Sequence, residues 1–178
     1  MKEETKSTKN HHLSKLPLQI RAKVIMMSDS LTAVSEKKRE KLDKSGKIAE
    51  QLIKNNEIEW VGMEYCSDDI DPLHELLESY IKEKIELIIT IGGTGISQRD
   101  ITIEAASPFI EKELPGFGEL FRYQTYKSVG TVSIMTRALA GIHGKSVIVC
   151  LPGSPNAVEL GINLILKEIQ HIASLLQK

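Results

Sequence analysis

The run Leu87–Ile91 is apolar and β-branched, and it stops on Gly92-Gly93-Thr94-Gly95 before Asp100-Ile101-Thr102, which has the look of a helix start. A buried strand, a glycine turn and a helix in that order restrict the chain to an open α/β fold, in which ligands collect where strands end and helices begin. Glycines at such a turn uncover backbone N–H groups, so a phosphate or another anion can approach the main chain. Gly92, Gly93, Thr94 and Gly95 are therefore candidate anion-binding residues, and Asp100 sets a carboxylate beside them. The plainer account is that any tight strand-to-helix turn gathers glycines.

The flanking sequence repeats the alternation. Ala22–Met27, Glu57–Tyr65 and Ser146–Leu151 read as further strands. Asp43 or Ser45 is placed to cap a helix that carries Ile48, Ala49, Leu52 and Ile53 inward. Asp71-Pro72 opens another, with Pro at its first position and Leu73, Leu76, Leu77, Tyr80 and Ile81 on one face. Helical stretches are predicted over Ile101–Phe109, Gly118–Tyr126 and Thr131–Ala140. A single last helix has Val158, Ile162, Ile165, Ile169, Ile172 and Leu176 on its inner stripe. The polar stretch Leu31–Leu42 is a long connection or an exposed helical extension. The fold class is α/β: three αβα layers around a mostly parallel sheet, in one domain over residues 20–178. Residues 1–19 have little to bury and are expected to form a disordered tail; His11 and His12 on it read as solvated.

A net charge of −1 gives no electrostatic footprint for nucleic acid or an anionic membrane. Two cysteines, Cys66 and Cys150, make no disulfide framework, and no apolar run reaches membrane-spanning length, so a cytoplasmic protein is expected. Gly144-Lys145-Ser146 imitates the end of a P-loop, but Leu139 stands where the leading glycine belongs and a strand follows. Gly93-Thr94-Gly95 and Pro115-Gly116-Phe117-Gly118 begin dinucleotide fingerprints that Gln98 and Phe121 break.

Four polar segments follow strands and would share one edge of a parallel sheet: Ser28-Asp29-Ser30, Cys66-Ser67-Asp68-Asp69, the glycine loop, and Pro152-Gly153-Ser154-Pro155. Asp69 and Asp71 read as helix-capping carboxylates, whereas Asp68 stays open between capping and ligand contact. Gly153 and Ser154 precede a helix, which suits either an anion or a Ser154 N-cap with Pro155 at the first helical position. Arg122 can make a two-pronged contact with a carboxylate or phosphate, and Glu119 is its candidate partner.

Taken together, Thr90–Gly95, Arg99–Thr102, Pro115–Arg122 and Leu151–Val158 resemble, in order and spacing, the molybdopterin-binding family of molybdenum cofactor biosynthesis. That family comprises the MoaB/MogA-type proteins and the plant and gephyrin G domains. The likeness runs from Arg21 to the C-terminus, without an added domain, as in the stand-alone bacterial and archaeal members. Ile91 departs from it, since relatives commonly carry a second Thr there; the change should alter a side chain behind the loop and not the backbone cradle. The resemblance implies adenylylation of molybdopterin by ATP with release of pyrophosphate, with Mg²⁺ as cofactor. Its two functional aspartates fall on Asp68 and Asp100, as catalytic and metal-holding residues. Gly92, Gly93, Thr94, Gly95, Gly153 and Ser154 would then bind phosphate, with Ser28 and Glu119 as further cleft residues. A homotrimer or homohexamer and the downstream molybdenum-insertion protein are the implied partners. Two other readings stay open: a non-catalytic molybdopterin-binding or scaffold protein, and a nucleotide-diphosphate hydrolase like the competence-damage proteins.

Overall fold

The computed structural model describes residues 17–178. Of the expected tail, residues 1–16, with His11 and His12, lie outside the described residues. Leu18 is already held: its N–H donates to the Gln170 side-chain carbonyl at 3.0 Å, and its carbonyl accepts from the Gln170 amide at 3.1 Å.

Six strands form one sheet: β1 (Arg21–Met27), β2 (Glu59–Cys66), β3 (Leu87–Ile91), β4 (Lys112–Glu113), β5 (Leu139–His143) and β6 (Ser146–Leu151), in the order β2-β1-β3-β6-β5-β4. The first four in that order are parallel, while β5 runs antiparallel to β6 and β4 antiparallel to β5. Helices α1 (Asp29–Thr32), α2 (Glu36–Leu42) and α3 (Lys44–Asn55) link β1 to β2. Helix α4 (Ile70–Lys82) links β2 to β3, and α5 (Thr102–Ala106) and α6 (Pro115–Val129) lie between β3 and β5. Helices α7 (Pro155–Leu166) and α8 (Ile169–Leu176) close the chain.

Period-two alternation along the parallel strands builds two cores. Val24, Met26, Leu87, Ile89, Ile91, Val147, Val149 and Leu151 face the layer that supplies Ala49, Ile53, Phe117, Phe121, Val158 and Ile162. Ile25, Met27, Ile88, Ile148 and Cys150 face the other, with Leu73, Leu77, Tyr80, Ala105 and Ala106. Each central strand is covered on both sides, which is why β3 and β6 read as unbroken apolar runs. Ile91 lies wholly in the first core, on the same face as Leu151, so its departure from the family pattern is absorbed by packing.

Several expectations are corrected. Thr131–Ala140 is helical only in its first half: a 3-10 helix covers Gly130–Met135, and β5 begins at Leu139. Strand β5 escapes pattern reading because it is short and centred on Gly141, against which Ile110 and the Lys112 carbonyl pack. It joins β6 through a two-residue hairpin turn in which Gly144 has φ +52°, so the P-loop imitation is a turn. Asp69 caps α4 by accepting from the Ile70 N–H at 2.8 Å, which puts Pro72 at the third helical position and not the first. Asp43, not Ser45, caps α3, accepting from the Gly46 N–H at 2.7 Å. The last helix is two, interrupted at Lys167-Glu168, yet its inner stripe continues through Ile165 and Ile169.

Ile89, fully buried at the middle of the sheet, tests the core: Ile89→Ala is expected to cost about 2–5 kcal/mol. Urea unfolding should show a lower midpoint with an unchanged slope.

Candidate functional site

Strand register brings four loops to one sheet edge. Met27 lies opposite Cys66, Met26 opposite Ile91, and Ile91 opposite Leu151, so β1, β2, β3 and β6 end level. Gly92 seals the joint. Its N–H donates to the Leu151 carbonyl at 2.9 Å, its φ is +106°, and a Cβ there would overlap the Met27 carbonyl. Gly93 follows at φ +62°; a Cβ on it would overlap Thr102 Oγ1 and lie 3.5 Å from Asp68 Oδ1. A Cβ on Gly153 would come within 3.5 Å of Gly92 Cα, so the last loop rests on the glycine loop. Ser45 holds that last loop from behind, its hydroxyl donating to the Gly153 carbonyl at 2.8 Å.

Thr102 grips the glycine loop twice. Its hydroxyl donates to the Gly92 carbonyl at 2.8 Å, and its N–H to the Gly93 carbonyl at 2.9 Å. One of the four expected cradle donors is spent inside the protein, since the Gly92 N–H serves Leu151, and the Gly95 backbone lies against the Asp100 carboxylate and helps to lower its pKa. The successive N–H groups of Gly93 and Thr94 have no acceptor among the described residues, and they are the donors left for an anion.

The two carboxylates sit in opposite environments. Asp100 Oδ2 accepts from the Ser97 hydroxyl at 2.6 Å and the Ser97 N–H at 2.8 Å. Those bonds, with the Ser97 hydroxyl contributing most, hold its pKa below the usual carboxylate value. Burial pushes Asp68 the other way, reinforced by the carboxylates of Asp29 and Asp100. Asp68 Oδ1 is buried with no hydrogen-bond partner among the described residues. A charged oxygen left so needs a cation or a donor from a ligand to offset its lost hydration.

The remaining candidates are arranged less directly. Ser28 caps α1, its hydroxyl accepting from the Leu31 N–H at 3.3 Å and pairing with the Ser30 hydroxyl at 3.0 Å. Ser154 caps α7 by accepting from the Ala157 N–H at 3.4 Å, with Pro155 at the first helical position. Glu119 is exposed on α6 and forms no ion pair with Arg122 among the described residues. Arg122 instead lines a groove of about 570 Å³ beside Gly118, Thr136 and Arg137.

Two residues that sequence reading did not single out join the site. Asp29 accepts the Asp68 N–H at 3.0 Å and so fixes the turn that carries Asp68; its place in the Ser-Asp-Ser segment after β1 was the available signal. Arg137 donates to the Thr94 carbonyl at 3.3 Å and the Asp100 carbonyl at 3.2 Å, and pairs with Glu104. It lies where a helix was expected, and nothing in its neighbours marks it.

A sheet edge of this kind, with a glycine turn and two carboxylates at the ends of parallel strands, is the place where open α/β proteins receive their ligands. Comparison with known proteins gives the family. Residues 23–171 match the family model described as a probable molybdopterin binding domain. Molybdenum cofactor biosynthesis protein B of Staphylococcus carnosus is 40% identical over 176 residues, covering 96% of this chain and 99% of the relative. The crystal structure of the tungsten cofactor synthesizing protein MoaB from Pyrococcus furiosus superposes with a TM-score of 0.80 at 36% identity, covering 92% of this chain and 100% of that one. The molybdopterin biosynthesis enzyme MoaB of Thermus thermophilus gives 0.77 at 26% identity over 89% and 96% of the two chains. The chain belongs to the molybdopterin-binding family of molybdenum cofactor biosynthesis, and within it to the MoaB type.

The raised Asp68 pKa has a stability consequence. A carboxyl whose folded pKa lies above its unfolded value of about 3.8 favours folding when protonated and opposes it when ionised. Asp68→Asn removes that opposition. It should raise the Tm at pH 7, with the gain vanishing as the pH falls below about 4; thermal unfolding against pH checks this.

Proposed function

We propose that the protein adenylylates molybdopterin: a terminal phosphate oxygen of molybdopterin attacks the α-phosphorus of ATP. The new P–O bond forms as the bond to the β-phosphate's bridging oxygen breaks, giving adenylyl-molybdopterin and pyrophosphate. The observation that carries the reading is the pairing of unspent Gly93 and Thr94 donors with Asp68 and Asp100 on either side of one loop. Attack of one anion on another needs positioning and charge neutralisation more than a strong base.

In this reading the Gly93 and Thr94 N–H groups hold the transferring phosphate, and the N-terminus of α7 behind Gly153 and Ser154 receives a second phosphate group. Asp68 and Asp100 would hold Mg²⁺. The unpartnered Asp68 Oδ1 fits a cation, and Ser97 favours the charged form of Asp100, holding its pKa below the usual carboxylate value. No group of three or more metal-binding side chains gathers among the described residues, which suits an ion that uses few carboxylates and keeps several waters. When bound, Mg²⁺ supplies neutralisation of phosphate charge. Asp29 keeps the Asp68 turn in place, and Thr102 keeps the glycine carbonyls turned away from the phosphate.

Asp68→Ala and Asp100→Ala should each lower pyrophosphate release from molybdopterin, ATP and Mg²⁺ by at least about 100-fold, with circular dichroism unchanged. Wild-type turnover in both variants would sink the mechanism. A folded wild type that binds molybdopterin and releases no pyrophosphate would make the protein a carrier or scaffold.

The chain is also proposed to act as a homotrimer or homohexamer. Helix α6 is apolar on both sides: Phe117 and Phe121 face the core, while Leu120, Tyr123, Tyr126 and Val129 are exposed and lead into exposed Val132, Ile134 and Met135. Such a patch supports self-association. Sedimentation should give an oligomer for wild type and a smaller species for Tyr123→Glu/Ile134→Glu.

A further inference from the structure

We propose that Arg137 is a positioning residue that holds the anion cradle and the Asp100 segment in one arrangement; its turnover arm rests on the adenylyltransferase reading. The segment from Thr94 to Asp100 contains Gly95 and the exposed Ile96, Ser97, Gln98 and Arg99, and no strand or helix supports it. From within, it is closed by the Asp100 carboxylate folding back on Ser97 and by the Asp100 N–H donating to the Ser97 carbonyl at 3.0 Å. From outside, one side chain spans it. Arg137 Nε donates to the carbonyl of Thr94 at its start, and Nη2 to the carbonyl of Asp100 at its end.

Glu104, in the first turns of α5, fixes the guanidinium from the far side. Its carboxylate receives Nη1, and Nη2 at 3.2 Å. A cation beside an anion cradle would ordinarily be read as a phosphate ligand, but here each nitrogen of the fork already donates within the protein. The contacts join α5, the glycine loop and the segment before β5, whereas the Thr102 hydroxyl ties α5 to the glycine loop alone. Only a planar fork can reach two carbonyls and a carboxylate together; an ammonium group keeps the charge and loses the geometry.

The test compares wild type with Arg137→Lys, Arg137→Ala and Glu104→Ala, first without any ligand. Amide hydrogen exchange at Ser97 and Asp100 should quicken by at least about tenfold in all three, while β3 amides keep their protection and so report an intact fold. In the pyrophosphate assay, kcat should fall by about 100-fold in Arg137→Ala. Arg137→Lys should restore little of it, and free guanidinium at sub-denaturing concentration should restore part. Guanidinium should do nothing for Asp100→Ala. Unchanged exchange at Ser97 and Asp100, or full activity in Arg137→Lys, would overturn the brace. A wild type that releases no pyrophosphate would defeat the adenylyltransferase reading alone, because the exchange measurements would still decide the role of Arg137.

Discussion

Everything at the sheet edge depends on how closely Gly92 approaches its neighbours. Its N–H meets the Leu151 carbonyl, its Cα lies against Met27, and Gly153 rests on it from above. Any side chain at residue 92 would collide with the Met27 carbonyl and would have to adopt a φ that L-residues rarely take. The absence of one methyl group thus lets the ends of β1, β3 and β6 close to within a single residue's width. The donors that follow, on Gly93 and Thr94, inherit their direction from that closure and not from any flexible side chain.

The two carboxylates divide the electrostatic work by environment. Asp100 is solvated by its own turn, through Ser97 and Gly95, and carries its charge at little cost. Asp68 is tucked beneath Gly93 with one oxygen unsatisfied and two acidic neighbours, and carries its charge at the expense of stability. One carboxylate is therefore satisfied by its own turn, and the other keeps an oxygen without a partner among the described residues.

The legibility of this chain follows burial. Strands β3 and β6 were readable to the residue because both of their faces are covered and their ends are punctuated by glycine or proline. Strands β4 and β5 were not, since two residues, or five centred on Gly141, leave no alternation to detect; they are defined by pairing with a strand read elsewhere. Asp69 as a cap was visible from its residue type, whereas the position of Pro72 depended on where the preceding turn ended. In the site, Gly92–Gly95, Asp68 and Asp100 stood out because backbone geometry and acid spacing are local properties. Arg137 did not. Its role exists only after α5 and the segment before β5 have been brought together, some 33 residues apart in sequence. Glu119 makes the same point from the other side, since a motif position can be conspicuous and still form no ion pair among the described residues.

The contact between Gly92 and Leu151 also sets a timetable. The loop that offers Gly93 and Thr94 is half-way along the chain, yet the carbonyl that seals it belongs to the last strand, and the residue resting on it comes two positions later. On the ribosome, β1, β2 and β3 can pair as they emerge, but the cradle has no roof until Leu151 and Gly153 have been made. Until then β3 presents an unpaired apolar edge, the kind of surface that invites association with the wrong chain. The antiparallel hairpin of β5 and β6, which closes locally through Gly144 and Lys145, shortens that interval by delivering β6 with its outer partner already attached.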